Sequence, residues 1–561
     1  FLWGVGVFPQ GPNPGSTFLN RNFFAEYAVS ALPFGLWLLL RCSGRRTAYG
    51  LAASNALVVV AIMMTGTRSA LVALWMQLFL LWPLVVWRCR AHFACAQWSR
   101  PLVLRVAAVF AAVVLALGAV PSANPSILAE QRGTAGIERA AVRTAAIHPS
   151  DESLGMRFVM WRATIRAIEH KPLLGIGAGA WEAFIPLYQN EPGQSDQEYY
   201  AHNEYLQLIA EYGLAGWLFL LALAALGARL ARQVLTAEDS SGARSLALCA
   251  LLALLTVSAL GFPWRLAMTG VLFALGLAIV IAAEPERRSR PSTTADRGDG
   301  ALNVVRPLML GRWWAAAGCV ASLAGLLGSG YIFQQARLAE RSIITAAKLS
   351  LEISATGQPK HPSFASARER VVTLARQGLS IHPHYRKITP VVAEQLARWG
   401  DLDNALAIWH TLLASRPYAL DLLTDAARAH AHRGQAEIAW QMLELARRLQ
   451  PLDGRHIALS AEMLMGDRRE DQARELVRSA LSAGVRAAVL LDVAFAIFSD
   501  KDPVLAVQAL RWRIEGERSA AALVDLHLRL GRHLAARAAV GETVSQSSAL
   551  SDQAVAAFRA A

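Results

Sequence analysis

The sequence predicts an all-α protein in two parts, a polytopic bundle of transmembrane helices followed by a helical-repeat solenoid. Three observations carry that expectation. The 561 residues are 54% hydrophobic, too apolar for a soluble protein of this size. The apolarity is uneven: long apolar runs dominate up to about residue 335, and a charged, Ala/Leu-rich sequence of helical pattern follows. Within that second part Pro383, Pro417 and Pro451 recur every 34 residues, as do Gly400 and Gly434. That period belongs to paired-helix repeats.

Eight stretches satisfy the requirement of roughly 20 mainly apolar residues for a span. They lie near 23–40, 48–66, 69–87, 102–120, 206–228, 245–262, 266–283 and 313–335. The expected domains are therefore a membrane domain over 1–335 and a repeat domain over 336–561. Arginines concentrate in alternate connections: 41–47, 88–101, 229–244 and 284–312. The positive-inside rule places these in the cytoplasm. Residues 1–22, the turn Thr65–Ser69, the loop 121–205, the turn Phe262–Arg265 and everything after 335 then face outward. The chain starts at Phe1 with no signal peptide ahead of it, and reads as a fragment whose start is missing.

The connection 284–312, with EPERRSRPSTTADRGDG at its centre, is too polar and Pro/Gly-rich to pack, and its arginines suit an anionic inner leaflet. Such inner-face loops account for much of the net charge of +13. The basic residues have no interleaved aromatics, so no nucleic-acid partner is expected. Cys42, Cys89 and Cys95 fall on the cytoplasmic side and Cys249 and Cys319 within spans. No disulfide framework or zinc site is implied.

In the repeat region each proline closes a helix, and Ala405 and Ala439 stand five residues after Gly400 and Gly434. Small residues at that position let paired helices cross. This is a tetratricopeptide pattern, and Gly466-Asp467 with Ala473 reads as its continuation at a looser period.

The stretch most informative about chemistry runs from Arg157 to Gly216. On a helix, Arg157 shares a face with Trp161, Ile165 and Ile168, whereas Arg162, Arg166 and Glu169 fall on the other side. A guanidinium on an apolar stripe needs an anionic partner. Either a structural ion pair or a phosphate clamp supplies one, a planar fork of donors being suited to a diphosphate. Gly175, Gly177 and Gly179 follow Lys171-Pro172. They lack the Gly-Lys-Ser/Thr ending of a phosphate loop and are expected to let the chain pack closely. The polar passage 189–200, with Asp196 and Glu198, reads as a mobile surface segment. His202 is expected at the start of a helix running into the next span, facing with Tyr205, Leu206 and Ile209, away from Glu204 and Glu211. Arg21, Arg68 and Arg265 each stand at the outer end of a span, against the charge bias. Each is either a snorkelling interfacial residue or, with Arg157, part of one outward anion site.

The ordered set Arg-x3-Trp, Lys-Pro-Leu-Leu-Gly-x-Gly, His-Asn-x-x-Leu-Gln and Glu-x-Gly-x-x-Gly resembles the bacterial O-antigen ligase and polymerase superfamily, which includes protein O-oligosaccharyltransferases. The passages around Arg21, Arg68 and Arg265 look like family passages too. The resemblance implies a membrane glycosyltransferase of the bacterial inner membrane. It would move a glycan from an undecaprenyl diphosphate carrier to lipid A core, another glycan or a protein hydroxyl at the periplasmic face. His202 would be the histidine beside the reacting centre, Arg68, Arg157, Arg21 and Arg265 would hold the carrier diphosphate, and no metal or other cofactor is expected. The repeats would lie in the periplasm, open to protein partners. The competing reading is a non-catalytic membrane anchor presenting a repeat scaffold to envelope assembly proteins. It leaves Arg68, Arg157 and His202 unexplained.

Overall fold

A computed structural model describes residues 20–89, 98–147, 152–189, 200–236, 242–281, 312–385, 388–539 and 544–561. The expectations for the connection 284–311, for Cys95 and for Asp196 and Glu198 lie outside these. The described residues are all-helical apart from turns and an isolated bridge between Pro121 and Ala135. They divide into two compact units.

The first unit takes in residues 20–181 and 200–281. Its helices are α1 (Arg21–Arg41), α2 (Arg45–Thr65), α3 (Arg68–Met76), a π-helical segment (Gln77–Leu81), α4 (Trp82–Cys89), α5 (Arg100–Gly118), α6 (Pro125–Ala129), α7 (Gly136–Ala145), α8 (Glu152–His170), α9 (Trp181–Phe184, of which Trp181 belongs here), α10 (Glu204–Tyr212), α11 (Leu214–Thr236), α12 (Ala243–Ser258) and α13 (Ala267–Ile281). The core joins α1, α2, α3 and α12 through Val29, Leu32, Ile62, Leu71, Leu74 and Leu254. Leu104 and Leu115 on α5, Leu218 and Leu221 on α11, and Val271 and Leu275 on α13 are exposed, as lipid-facing residues of a membrane bundle are. The buried amide of Gln77 donates to the carbonyl of Val29 at 2.8 Å where the helix widens, while its Oε1 has no hydrogen-bond partner among the described residues.

Among the described residues, Arg21–Arg41, Arg45–Thr65, Arg68–Arg88, Arg100–Gly118, Leu214–Arg232 and Ala316–Ala355 are long and apolar enough to cross a membrane. The expected span 245–262 forms a helix of 16 residues, shorter than the roughly 20 that a bilayer core requires, and the stretch 266–283 is helical from Ala267 to Ile281, where the described residues end. α12 stops at Ser258, and Leu260–Phe262 just beyond it line the cavity described below. The expected helix from His202 into span 206–228 is broken at Gly213, whose positive φ of 56° separates α10 from α11.

The second unit contains residues 182–189 and 312–561. α14 (Arg312–Ala355) is one helix of 44 residues. Its apolar first part is the expected last span, and its second part packs on the first repeat helix with no break near 335. There follow α15 (Ala365–Ile381), α16 (Thr389–Trp399), α17 (Leu402–Ser415), α18 (Leu420–His432), α19 (Ala436–Leu449), α20 (Gly454–Gly466), α21 (Glu470–Ser482), α22 (Ala488–Phe498), α23 (Pro503–Glu515), α24 (Ala520–Ala539) and α25 (Val544–Ala560). Sequential helices pair as antiparallel hairpins, and Ala405, Ala439 and Ala473, 34 residues apart, are fully buried where they cross. Gly400 and Gly434 are left-handed, at φ 89° and 75°, and the next left-handed residue at that interval is Arg468, at φ 61°. The third repeat therefore keeps the 34-residue register. The looser period anchored on Gly466 is incorrect, because Gly466 ends α20 and a non-glycine residue fills the turn.

Residues 182–189 pack on the solenoid. Glu182 pairs with Arg416, Phe184 lies 5.8 Å from Tyr418 between ring centroids, and Gln450 donates its amide to the Gln189 carbonyl at 2.9 Å. Arg416 and Gln450 hold the same repeat position, each immediately before a repeat proline.

Candidate functional site

At one end of the first unit a cavity of about 250 Å³ is lined by Arg21, Arg68, Arg132, Arg143, Arg157, His202, Glu26 and Glu130, together with the turns at Gly66–Ser69 and Leu260–Phe262. Each side chain arrives by a local device. Asn20 caps α1, its side chain accepting the N–H of Asn22 at 2.8 Å, which sets Arg21 on the first turn. Asn22 in turn accepts from the Thr67 hydroxyl at 3.0 Å. Gly66 ends α2 at φ 62°, and a Cβ there would come within 3.2 Å of both Arg143 Nε and Arg139 Nη2. Only a glycine lets the chain turn under two guanidiniums. Arg68 then opens α3.

His202 is held from several sides. It has a left-handed backbone, φ 52°, and precedes α10, whose N-cap is Asn203, accepting from Leu206 N–H at 3.0 Å. Gln207 accepts the Ala201 N–H at 3.0 Å and donates to Glu211 at 2.9 Å. Trp161 on α8 donates to the Ala201 carbonyl at 2.9 Å. The His202 ring meets Phe262 at 5.1 Å, and Phe262 also contacts Phe23 and Tyr200. His-Asn-x-x-Leu-Gln is thus a cap plus a side-chain clasp. The face assigned to His202 on an ideal helix does not apply, because His202 lies outside the helix.

Of the glycines after Lys171-Pro172, Gly175 packs on the far end of α10, whereas a Cβ on Gly179 would meet open space. A Cβ on Gly175 would lie 2.4 Å from the Glu211 carbonyl oxygen, and one on Gly213 would lie 2.4 Å from that of Leu173. Ile176 and Gly177 donate to the carbonyls of Ala210 and Glu211 at 2.8 and 3.1 Å. Gly175 and Gly213 are required for two backbones to touch.

Arg157 lies on α8 beside the cavity, but the face it shares differs from the expected one. The buried face of α8 is Met160, Ala163, Thr164 and Ala167, while Ile165 is 43% exposed. The helix packs through small residues, and the stripe drawn through Trp161 and Ile165 runs along the flank. Arg162 is exposed. Arg265 is not among the residues lining the cavity. It forms ion pairs with Glu204 at 3.3 Å and Glu211 at 3.5 Å and lies over the Tyr200 ring.

Several site residues escaped the sequence reading. Glu130 binds three arginines: Arg21, Arg139 at 2.8 Å and Arg143 at 3.5 Å. Burial opposes its ionisation, but Arg139 and Arg21 hold its carboxyl below the usual range. Arg139, fully buried, also donates to the Met64 carbonyl at 3.0 Å. Burial, aided by the nearby Arg21 charge, pushes Arg143 down to about 10. The cavity therefore holds more positive charge than its carboxylates offset, as an anion site does. The available signal was Arg139 and Arg143, one helical turn apart on a short helix beside the spans. Glu26, an acid inside an apolar stretch, was another.

Residues 53–221 match the O-antigen ligase family, and the chain is a membrane protein with several membrane-length apolar helices. Arg68, Arg157 and His202 fall within the match, and Arg21 and Glu26 reach the same cavity from outside it. Among solved structures, the chain is similar to the crystal structure of the yeast Tom70, at 12% identity over 91% of this chain and 96% of that one, with a TM-score of 0.28. That score is too low to carry an argument about fold or function. No curated relative matches the chain significantly. Among the described residues there is no group of three His, Cys, Asp or Glu side chains that could hold a metal ion.

Proposed function

We propose that the first unit transfers a glycan from an undecaprenyl diphosphate carrier to an acceptor hydroxyl at the periplasmic face of the bacterial inner membrane, as an O-antigen ligase or polymerase does. The observation that carries this is the convergence of Arg21, Arg68, Arg143 and Arg157 with His202 on one cavity. In the reaction the acceptor oxygen attacks the anomeric carbon, the bond from that carbon to the diphosphate oxygen breaks, and the electron pair leaves with the diphosphate. Arg68, Arg157 and Arg21 bind the departing charge, which is where fixed cations contribute most. His202 takes the hydroxyl proton. Arg265 acts indirectly, tying Glu204 and Tyr200 on either side of His202. Lipid A core, a glycan or a protein side chain each offers the hydroxyl that this chemistry uses. The alternation of basic loops supports a periplasmic site and periplasmic repeats, where the solenoid is open to protein partners.

The test is transfer and carrier binding in membranes with matched expression. Arg68→Ala and Arg157→Ala should each lose roughly 2 to 4 kcal/mol of leaving-group stabilisation, with Lys rescuing only partly because it cannot form the bidentate fork. His202→Ala should lower turnover about 10²- to 10⁴-fold with carrier binding kept. Arg162→Ala, on the exposed side of α8, should behave as wild type. Wild-type transfer by both the Arg157 and His202 variants would end this reading and restore the scaffold alternative.

A further inference from the structure

Glu26 lines the cavity and has no part in the transfer chemistry derived above. It lies on α1, one turn beyond Arg21, and is 3% exposed. Its Oε1 sits over Gly261, where a Cβ would approach to 2.3 Å. Its Oε2 has no hydrogen-bond partner among the described residues. Glu130, the other carboxylate lining the cavity, is occupied by three arginines. A buried carboxyl oxygen without a hydrogen-bond partner is costly.

The chemistry of the missing donor is constrained. A carboxyl oxygen accepts a hydrogen bond from a hydroxyl or an amide N–H, a donor that an ionised diphosphate lacks. The cavity volume narrows the choice. About 250 Å³ equals roughly eight waters at ~30 Å³ each, room for a diphosphate and part of one sugar ring. The donor group nearest a bound diphosphate is on the sugar esterified to it. Gly261 and Phe262, adjacent in one turn, bring Glu26 and His202 to the same wall.

We infer that Glu26 is the subsite for the first sugar of the transferred glycan: it accepts a hydrogen bond from a hydroxyl or amide N–H of that sugar, a contact that a bare diphosphate cannot offer. The cavity thereby prefers the loaded carrier to its own product. This rests on the glycan-transfer reading above and adds a specificity determinant to it.

The experiment uses the full chain in detergent with two probes, undecaprenyl diphosphate and undecaprenyl diphosphate-linked N-acetylglucosamine. Wild type should bind the sugar-linked probe more tightly. Glu26→Gln should bind the bare probe at least as well as wild type and lose the preference by up to roughly 10-fold, the size of a net hydrogen bond, while Glu26→Asp retains part of it. A wild-type protein without preference, or a Glu26→Gln variant that keeps it, overturns the inference and leaves glycan transfer standing. Equal loss of both affinities in Glu26→Gln and Glu26→Asp also overturns it, by showing that Glu26 only braces Arg157. If wild type binds neither probe, the glycan-transfer reading itself fails.

Discussion

The indole N–H of Trp161 donates to the carbonyl oxygen of Ala201, the residue before His202, at 2.9 Å. That bond joins the Arg157 helix to the backbone that presents the histidine, and so links both halves of the proposed chemistry. Trp161→Phe keeps the ring and deletes the donor. With a net hydrogen-bond contribution of about 0.5 to 1.5 kcal/mol, turnover should fall roughly 2- to 10-fold while carrier affinity holds. Unchanged turnover would mean that His202 is oriented by its cap and Gln207 alone.

Glu204 introduces a pH dependence. Burial pushes its carboxyl up from 4.5 to about 7, against the pull of Arg265 and the Trp264 N–H. A raised folded-state pKa contributes stability that is full below about 4.5 and is lost as pH rises through 7. The melting temperature in detergent should therefore decline across that window, and Glu204→Gln should flatten the decline. Parallel curves for the two proteins would rule Glu204 out as its source.

Arg468 occupies a left-handed position that glycine fills in the two preceding repeats. An L-residue there costs roughly 1 to 2 kcal/mol. Arg468→Gly should recover about 1 kcal/mol in chemical denaturation of the repeat region, after the entropy that glycine adds to the unfolded chain. A destabilised variant would show that the Arg468 side chain contributes more than its backbone costs.

Ala405 and Ala439 are fully buried at helix crossings. Enlarging either to Trp should overpack the pair by roughly 1 to 3 kcal/mol or more, lowering the unfolding transition of the solenoid. The transition of the membrane unit should stay where it is. An unaltered solenoid transition would place the crossing elsewhere.

Sidedness has its own test. In intact spheroplasts of a cysteine-free background, Ser482→Cys should react with a membrane-impermeant thiol reagent and Ser43→Cys should not, both positions being exposed. The reverse pattern would put the repeats in the cytoplasm and remove the basis for periplasmic transfer.

Much of this architecture was legible in the sequence, because bilayer thickness and a 34-residue period are constraints that few arrangements satisfy. Arg21 and Arg68 stood out because charge at the apolar ends of spans is rare, Arg157 as a charge on an apolar stripe, and His202 through its His-Asn motif. What was hidden depends on tertiary contact. An ideal helix drawn through His202 could not anticipate that Asn203 would cap it and leave the histidine in a left-handed turn. Ala163 and Ala167 carry little hydropathy, so the stripe of larger residues on α8 pointed to the wrong face. Arg265 looked like its neighbours because nothing local announces that Glu204 and Glu211 will claim it. Glu130, Arg139 and Arg143 sit in a connecting loop, where charge is ordinary until burial makes it otherwise.

The grip of Arg416, Tyr418 and Gln450 on residues 182–189 has an evolutionary and practical corollary. The repeat region is not a cassette appended at the end of the chain, since part of its surface is supplied by a stretch encoded well over a hundred residues upstream of the first repeat helix. A recombination event or an engineered fusion that exchanges only the carboxy-terminal half would strip Gln450 of the carbonyl it binds and Arg416 of its carboxylate. Repeats and loop must therefore be inherited together, and a solenoid borrowed from another chain would need its own matching upstream stretch to seat.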